Sequence, residues 1–149
     1  MATTRLAPDF KEFLLLLRSA KIEYLLIGGY AVGHYGFPRA TGDLDIWIAN
    51  HDENASRLVD ALRQFGFDVP ELDKSLFQNP KHVVRMGVPP VRLEILSSID
   101  GVDFRDCYPR REIAEIDGVE VDVISLADLK TNKRASGRHQ DLNDLENLP

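Results

Sequence analysis

The sequence contains a single cysteine, Cys107, among its 149 residues. One cysteine excludes an internal disulfide bond and a zinc site built from several cysteines. Apolar runs are short as well, and the longest ones, such as Phe13–Leu17, fall far below the roughly 18 residues that a bilayer-spanning helix needs. The N-terminus lacks the basic and apolar pattern of a signal peptide. These absences predict a cytoplasmic protein without a membrane partner.

Positive charge is also scarce, with 18 lysines and arginines against 24 aspartates and glutamates, a net charge of −6. A chain of this charge is not expected to coat nucleic acid non-specifically. The basic residues are nevertheless clustered, because the stretch 130–138 contains four of them and no acidic residue. Any contact with nucleic acid would therefore have to be local.

The sequence has no internal repeat, no low-complexity tract and no glycine-serine linker. Its hydrophobic fraction of 44% is typical of a globular chain. We therefore expect a single domain over residues 1–149. Helical and extended patterns alternate in the first half and extended patterns dominate after Pro70, which predicts an α/β or α+β fold with a mixed sheet flanked by helices.

Periodicity and turn residues place the elements of this predicted fold. Asp9 is expected to cap a first helix that runs to about Ala20, and Ser125 to cap a late one. A short helix is expected after Gly29, and a final helix near Gln140. The predicted strands are Tyr24–Ile27, Leu44–Ala49, His82–Met86, Val91–Ser97, Glu112–Ile116 and Val119–Ile124, and the amphipathic stretch Asn54–Phe65 predicts a further helix.

The most informative feature is the pair of aspartates at the start of the second predicted strand. In a strand, residues i and i+2 point to the same face, so Asp43 and Asp45 would stand side by side. Two adjacent carboxylates repel each other, and a bound divalent cation such as Mg²⁺ removes that penalty. The alternative is that Asp43 is a turn residue after Gly42 and that Asp45 faces solvent.

A pair of glycines lies upstream of the aspartates. Gly28 and Gly29 follow a buried strand and precede a helix, with residues 30–42 between them and the aspartate pair. Without side chains, their backbone N–H groups can approach an anion, and a helix N-terminus favours negative charge. A tight turn without a ligand would use the same residues.

A third carboxylate is expected to join the aspartate pair. Val91–Leu96 alternates like a strand, so that Arg92 and Glu94 share one face. If this strand lies beside the aspartates, Glu94 completes a set that can hold two metal ions for nucleotidyl displacement. A surface Glu94 paired with Arg92 is the structural alternative, and Asp122 is a rival third carboxylate.

The segments Leu26–Gly29 and Thr41–Ile46 resemble the signature of the nucleotidyltransferase superfamily. That signature is an apolar residue with Gly-Gly or Gly-Ser, a spacer, and Asp-apolar-Asp, followed later by a third carboxylate. The chain is most similar to the small minimal nucleotidyltransferases, some of which serve in toxin–antitoxin and abortive-infection systems. The stretch Leu129–Leu145 also resembles their closing helices, so the likeness extends from about Tyr24 to Leu148.

The resemblance implies transfer of a nucleoside monophosphate from an NTP, with ATP expected first, to an acceptor hydroxyl. Asp43 and Asp45 would bind Mg²⁺ or Mn²⁺, Glu94 would be the third metal-binding carboxylate and general base, and Gly28 and Gly29 would cradle the β- and γ-phosphates. Two departures from the common pattern are Gly29 in place of serine and Glu94 in place of aspartate.

Three further residues are candidates for nucleotide binding. Arg39 could meet the triphosphate and Thr41 could hydrogen-bond a carboxylate, although a structural salt bridge in the loop explains them equally well. Lys133 could neutralise charge in the transition state, and a solvated basic helix face is its alternative.

The acceptor stays open among RNA such as tRNA, a protein and a small molecule. Since larger relatives close the nucleotide site with an added helical domain, a homodimer or a partner protein could supply the missing wall. The competing hypothesis is a non-catalytic nucleotide-binding or antitoxin-type module that acts through a partner protein.

Overall fold

A computed structural model describes residues 5–38, 41–80, 82–88 and 91–149. The helices in these ranges are α1 (Pro8–Ser19), α2 (Gly28–His34), α3 (Asp52–Phe65), α4 (Phe104–Cys107), α5 (Leu126–Ser136) and α6 (His139–Asn147). The strands are β1 (Tyr24–Ile27), β2 (Asp43–Ile48), β3 (Val83–Val88), β4 (Val91–Leu96), β5 (Glu112–Ile116) and β6 (Val119–Val123). In the described ranges, no helix is both long and apolar enough to cross a bilayer.

The strands in these ranges form one mixed sheet in the order β3-β4-β2-β1-β6-β5. Neighbours β3–β4, β2–β1 and β6–β5 are antiparallel, whereas β2–β4 and β1–β6 are parallel. A mixed sheet with helices confirms the predicted fold class. The parallel pair β2–β4 is the part of the topology that builds the site described below.

The predicted strands agree with the structure to within one or two residues at each end. The β5–β6 hairpin turns at Asp117 and Gly118, whose φ angles of 49° and 82° are those that a two-residue turn between twisted strands requires. Ser125 caps α5, because its hydroxyl accepts a hydrogen bond from the Asp128 backbone N–H at 3.1 Å. Local turn and capping chemistry therefore set these boundaries.

Two local predictions were wrong or incomplete. Asp9 does not cap α1, because the helix begins one residue earlier, at Pro8, and Asp9 lies within its first turn. Proline suits this first helical position because its missing N–H would have no partner inside the helix. The four-residue helix α4 was not predicted, since it is too short to show a helical repeat.

Strand β2 divides its side chains between a buried core and the opposite face of the sheet. Leu44, Ile46 and Ile48 are completely buried, and each contributes roughly 1.5–3 kcal/mol through the apolar surface it removes from water. Asp43 and Asp45 alternate with them and are half-buried. The core therefore holds the strand in place, and its alternation directs both aspartates to one side.

The C-terminal helices α5 and α6 are joined by buried charges. The Lys133 ammonium, on α5, lies 3.1 Å from Asp141 and 3.0 Å from Asp144, both on α6. Asp141 also accepts hydrogen bonds from the Ser136 hydroxyl at 2.7 Å and the Arg138 guanidinium at 2.8 Å. The alternative interpretation of Lys133 as part of a solvated face was wrong, since its positive charge balances α6 carboxylates inside the protein.

We expect this network to make the protein sensitive to acid. Burial raises the pKa of Asp141, but hydrogen bonds from Arg138, Ser136 and Lys133 outweigh it and lower the pKa from 3.8 to about 2. Because the folded-state pKa is depressed, the stabilisation is present above pH 4 and is lost as the pH falls towards 2. It amounts to about 2 kcal/mol.

Denaturant unfolding of the wild type and of Asp141→Asn, measured between pH 2 and pH 7, tests this prediction. The variant should be less stable at pH 7 and should lose less free energy of unfolding between pH 4 and pH 2. Parallel pH curves for the two proteins would contradict it.

Candidate functional site

The candidate site begins at the first residue of β2. Asp43 and Asp45 occupy the same face of this strand, as the alternation predicted. Strand β1 ends beside them, and its last residue, Ile27, pairs with Asp45 across the antiparallel ladder. The glycine turn and the aspartate pair, which are separate in the sequence, therefore meet at one end of the β1–β2 pair.

The parallel strand β4 brings in the third carboxylate. Its register with β2 places Glu94 opposite Asp45 and Arg92 opposite Asp43. Ligand oxygens of Asp43, Asp45 and Glu94 lie within 4.8 Å of one another, and in the described part of the chain no other three histidine, cysteine or acidic side chains converge in this way. All three residues are half-buried, so a small cation could reach them from solvent.

Gly28 supports this arrangement through its lack of a side chain. Its φ of 69° lies in the left-handed region, and a Cβ placed on it would lie 2.0 Å from Asp45 Oδ2. Any side chain would therefore collide with a carboxylate of the cluster. Gly29 follows in the first turn of α2 and is buried. The glycine motif thus makes room for Asp45, a contribution that the sequence did not predict.

Arg92 is the residue that sequence reasoning did not assign to the site. Its Nε donates to Asp43 Oδ1 at 3.1 Å and its Nη2 to Asp43 Oδ2 at 2.9 Å. The hydrogen bonding and charge of Asp43 raise the pKa of Arg92, and the charges of Glu94 and Asp45 add to the effect. Arg85 on β3 is 3.5 Å from Glu94. Two arginines therefore offset the repulsion within the cluster.

The other predicted residues are placed as follows. Thr41 lies two residues before β2 and is half-buried, and Arg39 lies outside the described residues. Lys133 is buried, and its ammonium forms ion pairs with Asp141 and Asp144 of α6. Asp122 lies on β6, separated from β2 by β1, and pairs with Arg18 at 3.3 Å and Arg111 at 3.5 Å. Geometry therefore groups Glu94, and not Asp122, with the aspartate pair.

A cavity of about 740 Å³ opens at the opposite end of β2 and β4, beyond Ala49 and Ser97. Trp47, Phe104 and Tyr108 form part of its wall, and its lining includes none of the three clustered carboxylates. This cavity and the acidic cluster are thus distinct. Because hard divalent cations bind carboxylate oxygens, the candidate metal site is the cluster rather than the cavity.

The sequence also matches a known protein family. The family described as "Nucleotidyl transferase of unknown function (DUF2204)" matches residues 7–149, which is nearly the whole chain. The chain belongs to this family of nucleotidyl transferases. The match confirms the resemblance that the glycine and aspartate motifs indicated.

A solved structure supports the same fold. A protein from Thermotoga maritima, described as a candidate nucleotidyltransferase, superposes with a TM-score of 0.63 over 95% of this chain and 93% of its own. The two sequences are 17% identical, so the likeness establishes the fold and not a shared substrate. A search of curated proteins found no match.

The close approach of Gly28 to Asp45 predicts a specific effect of Gly28→Ala. Alanine at this φ costs about 1–2 kcal/mol, and its methyl group also displaces the Asp45 carboxylate. We expect a lower unfolding temperature together with a loss of Mn²⁺ affinity measured by calorimetry.

Gly118→Ala is the matched control, since Gly118 has a similar φ of 82° with nothing within 4 Å of the added Cβ. This variant should lose stability but bind Mn²⁺ like the wild type. Equal Mn²⁺ affinity in Gly28→Ala and the wild type would show that Gly28 does not determine the position of Asp45.

Proposed function

We propose that this protein is a metal-dependent nucleotidyltransferase that moves a nucleoside monophosphate from an NTP to an acceptor hydroxyl. The observation that carries the proposal is the convergence of Asp43, Asp45 and Glu94 within 4.8 Å. Family membership supports it, because the chain belongs to a family of nucleotidyl transferases. ATP is the proposed donor, and RNA, a protein or a small molecule is the acceptor.

The donor set fits a hard divalent cation. Carboxylate oxygens are the ligands that Mg²⁺ and Mn²⁺ prefer, and the half-buried cluster leaves room for substrate oxygens and water. Asp43, Asp45 and Glu94 would hold the ion or ions. When bound, the metal would offset negative charge on the reacting phosphate and lower the pKa of the attacking hydroxyl.

The protein's own groups take the remaining roles in this proposal. The acceptor oxygen attacks the α-phosphorus in line, the bond from the α-phosphorus to the bridging oxygen breaks, and pyrophosphate leaves. Glu94 is proposed to accept the proton of the acceptor hydroxyl. The backbone N–H groups of Gly28 and Gly29 are proposed to donate to the β- and γ-phosphates.

The remaining nucleotide-binding residues stay predictions. Thr41 lies just before the aspartates, where its hydroxyl could orient Asp43 or a phosphate, and Arg39 is proposed to contact the triphosphate. Lys133 would first have to leave Asp141 and Asp144 to reach a phosphate. Its structural contribution to the α5–α6 pair is therefore the role that its contacts support best.

The metal site makes a direct prediction for Asp43→Asn and Asp45→Asn. Both variants should lose Mn²⁺-dependent NTP binding in calorimetry, because each removes a charged oxygen ligand. Both should remain folded, since each also removes one of three mutually repelling charges. Asp60→Asn, an exposed change on α3, is the control and should bind like the wild type. Unchanged affinity in both site variants would exclude this metal site.

The assignment of the general base predicts the behaviour of Glu94→Gln. Nucleotide transfer should fall on the order of 10²–10⁴-fold, as for loss of a general base, whereas NTP binding should fall less than in the aspartate variants, because Asp43 and Asp45 remain as charged ligands. Glu94→Asp should retain part of the activity, because it keeps the charge and shortens the reach. Asp122→Asn should transfer normally, since Asp122 pairs with arginines outside the cluster.

The assay combines the protein with each α-labelled NTP, Mg²⁺ or Mn²⁺, and cell extract, and follows which molecules acquire label. Full activity of Glu94→Gln with loss in Asp122→Asn would move the third carboxylate to β6. NTP binding without labelling of any molecule would favour the non-catalytic nucleotide-binding hypothesis.

A further inference from the structure

The guanidinium of Arg92 lies directly against the carboxylate of Asp43, one of the three candidate metal ligands. It donates to both oxygens of that carboxylate, at 3.1 and 2.9 Å, in the two-pronged geometry that makes arginine–carboxylate pairs strong. The in-register pairing of β2 and β4 sets the two residues opposite each other, so the contact comes from the sheet itself. Both Asp43 oxygens are therefore engaged in this structure.

The arginine contact at Glu94 is weaker. Arg85 approaches Glu94 through one nitrogen at 3.5 Å, and 57% of its side chain is exposed to solvent. Arg92 is more enclosed, with 36% of its side chain exposed, and Asp43 with 23%. Of these two arginines, Arg92 is thus the one that is fixed against a carboxylate of the cluster.

Arg92 and a divalent cation compete for the same oxygens. A metal ion bound by Asp43 needs an oxygen lone pair at about 2.0–2.1 Å, and two of the roughly four lone-pair sites of this carboxylate already accept from Arg92. The positive charges of the guanidinium and the metal also repel at this separation. A metal ion on Asp43 would therefore either lie directly beside the guanidinium charge, at an electrostatic cost, or displace Arg92.

We propose that Arg92 is an exchangeable counterion of the carboxylate cluster. It neutralises Asp43 while no metal is bound, and it transfers to the phosphates of the incoming nucleotide when the metal takes Asp43. The inference rests on the proposed metal and nucleotide site, and it adds to that site a residue whose partner changes on binding. The positive charge of Arg92 is used in both states, first against a carboxylate and then against a phosphate.

A simple positioning role gives the opposite result in a metal-binding measurement. If Arg92 only orients Asp43 for the metal, Arg92→Gln should weaken the binding of Mn²⁺ alone. If Arg92 is a competing counterion, the same variant should bind Mn²⁺ alone more tightly, roughly ten-fold, because a nearby positive charge has been removed. The sign of the change therefore separates the two roles.

The test measures Mn²⁺ binding to the full chain by calorimetry, with and without a non-hydrolysable ATP analogue. Arg92→Gln should bind Mn²⁺ alone more tightly than the wild type and the Mn²⁺–analogue complex at least several-fold more weakly. Without metal, its unfolding temperature should be lower, since three carboxylates lose a counterion. Arg57→Gln removes an exposed arginine that pairs with Glu53 on α3, and it should leave both affinities unchanged.

A spectroscopic measurement on the wild type keeps the proposal testable if Arg92→Gln does not fold. The Nε–H resonance of Arg92, assigned by comparison with Arg92→Lys, should shift on addition of Mg²⁺ as its hydrogen bond to Asp43 breaks. A resonance that Mg²⁺ leaves unchanged while Mg²⁺ binds would overturn the proposal. So would weaker or equal binding of Mn²⁺ alone by Arg92→Gln.

The outcomes also separate this inference from the proposed function. Equal affinity for Mn²⁺ alone in the wild type and in Arg92→Gln would reject the counterion role and leave the transferase proposal intact. Exchange of Arg92 on metal binding without any nucleotide transfer would support the counterion role and reject catalysis. Tighter binding of both Mn²⁺ and the Mn²⁺–analogue complex would reject the transfer of Arg92 to phosphate.

Discussion

In-register parallel pairing of β2 and β4 sets Asp45 opposite Glu94 and Asp43 opposite Arg92. A slip of one residue would turn every side chain of β4 to the other face and would send Glu94 into the core. The buried residues Leu93 and Ile95 prevent this slip, because it would expose both of them. Hydrophobic burial on one side of β4 thus determines the charged arrangement on the other side.

The repulsion among three close carboxylates has to be offset within the fold. Arg92 and Arg85 supply positive charge from β4 and β3. Both side chains are partly exposed, so solvent also screens the repulsion between the carboxylates. Gly28 contributes space instead of charge, since it lets the end of β1 lie against Asp45. The carboxylates of β2 and β4 therefore depend on Arg92 of β4 itself, on Arg85 of β3 and on Gly28 at the end of β1, which explains why the parts of the site are scattered over the sequence.

Local patterns predicted the helices and strands well, because these elements depend on residues that are close in the sequence. Alternation placed Asp43 and Asp45 on one face, and the Ser125 cap was visible from residue type. The short helix α4 was missed because four residues show no period. Proline at the first helical position explains the wrong cap at Asp9.

Contacts between distant segments were harder to predict. The sequence left two positions open for Glu94, either beside the aspartates of β2 or in a surface ion pair. It also left both Glu94 and Asp122 as candidates for the third carboxylate. Strand order decided between them, and periodicity does not encode strand order. The partner of Arg92 depends on the same register: sequence alternation suggested Glu94 on its own strand, whereas the structure pairs it with Asp43 across the ladder. Lys133 similarly contacts Asp141 and Asp144 only because the chain reverses direction at Gly137.

The buried contacts of Lys133 have a consequence for how the C-terminal region opens. Moving α6 away from α5 would separate the ammonium from Asp141 and Asp144 in one event, and a partly opened state would leave unpaired charges in a poorly hydrated space. Gradual fraying of α6 from its outer end is therefore interrupted at Asp144, which is completely buried. We therefore expect the two helices to open as one cooperative unit, either closed or fully detached.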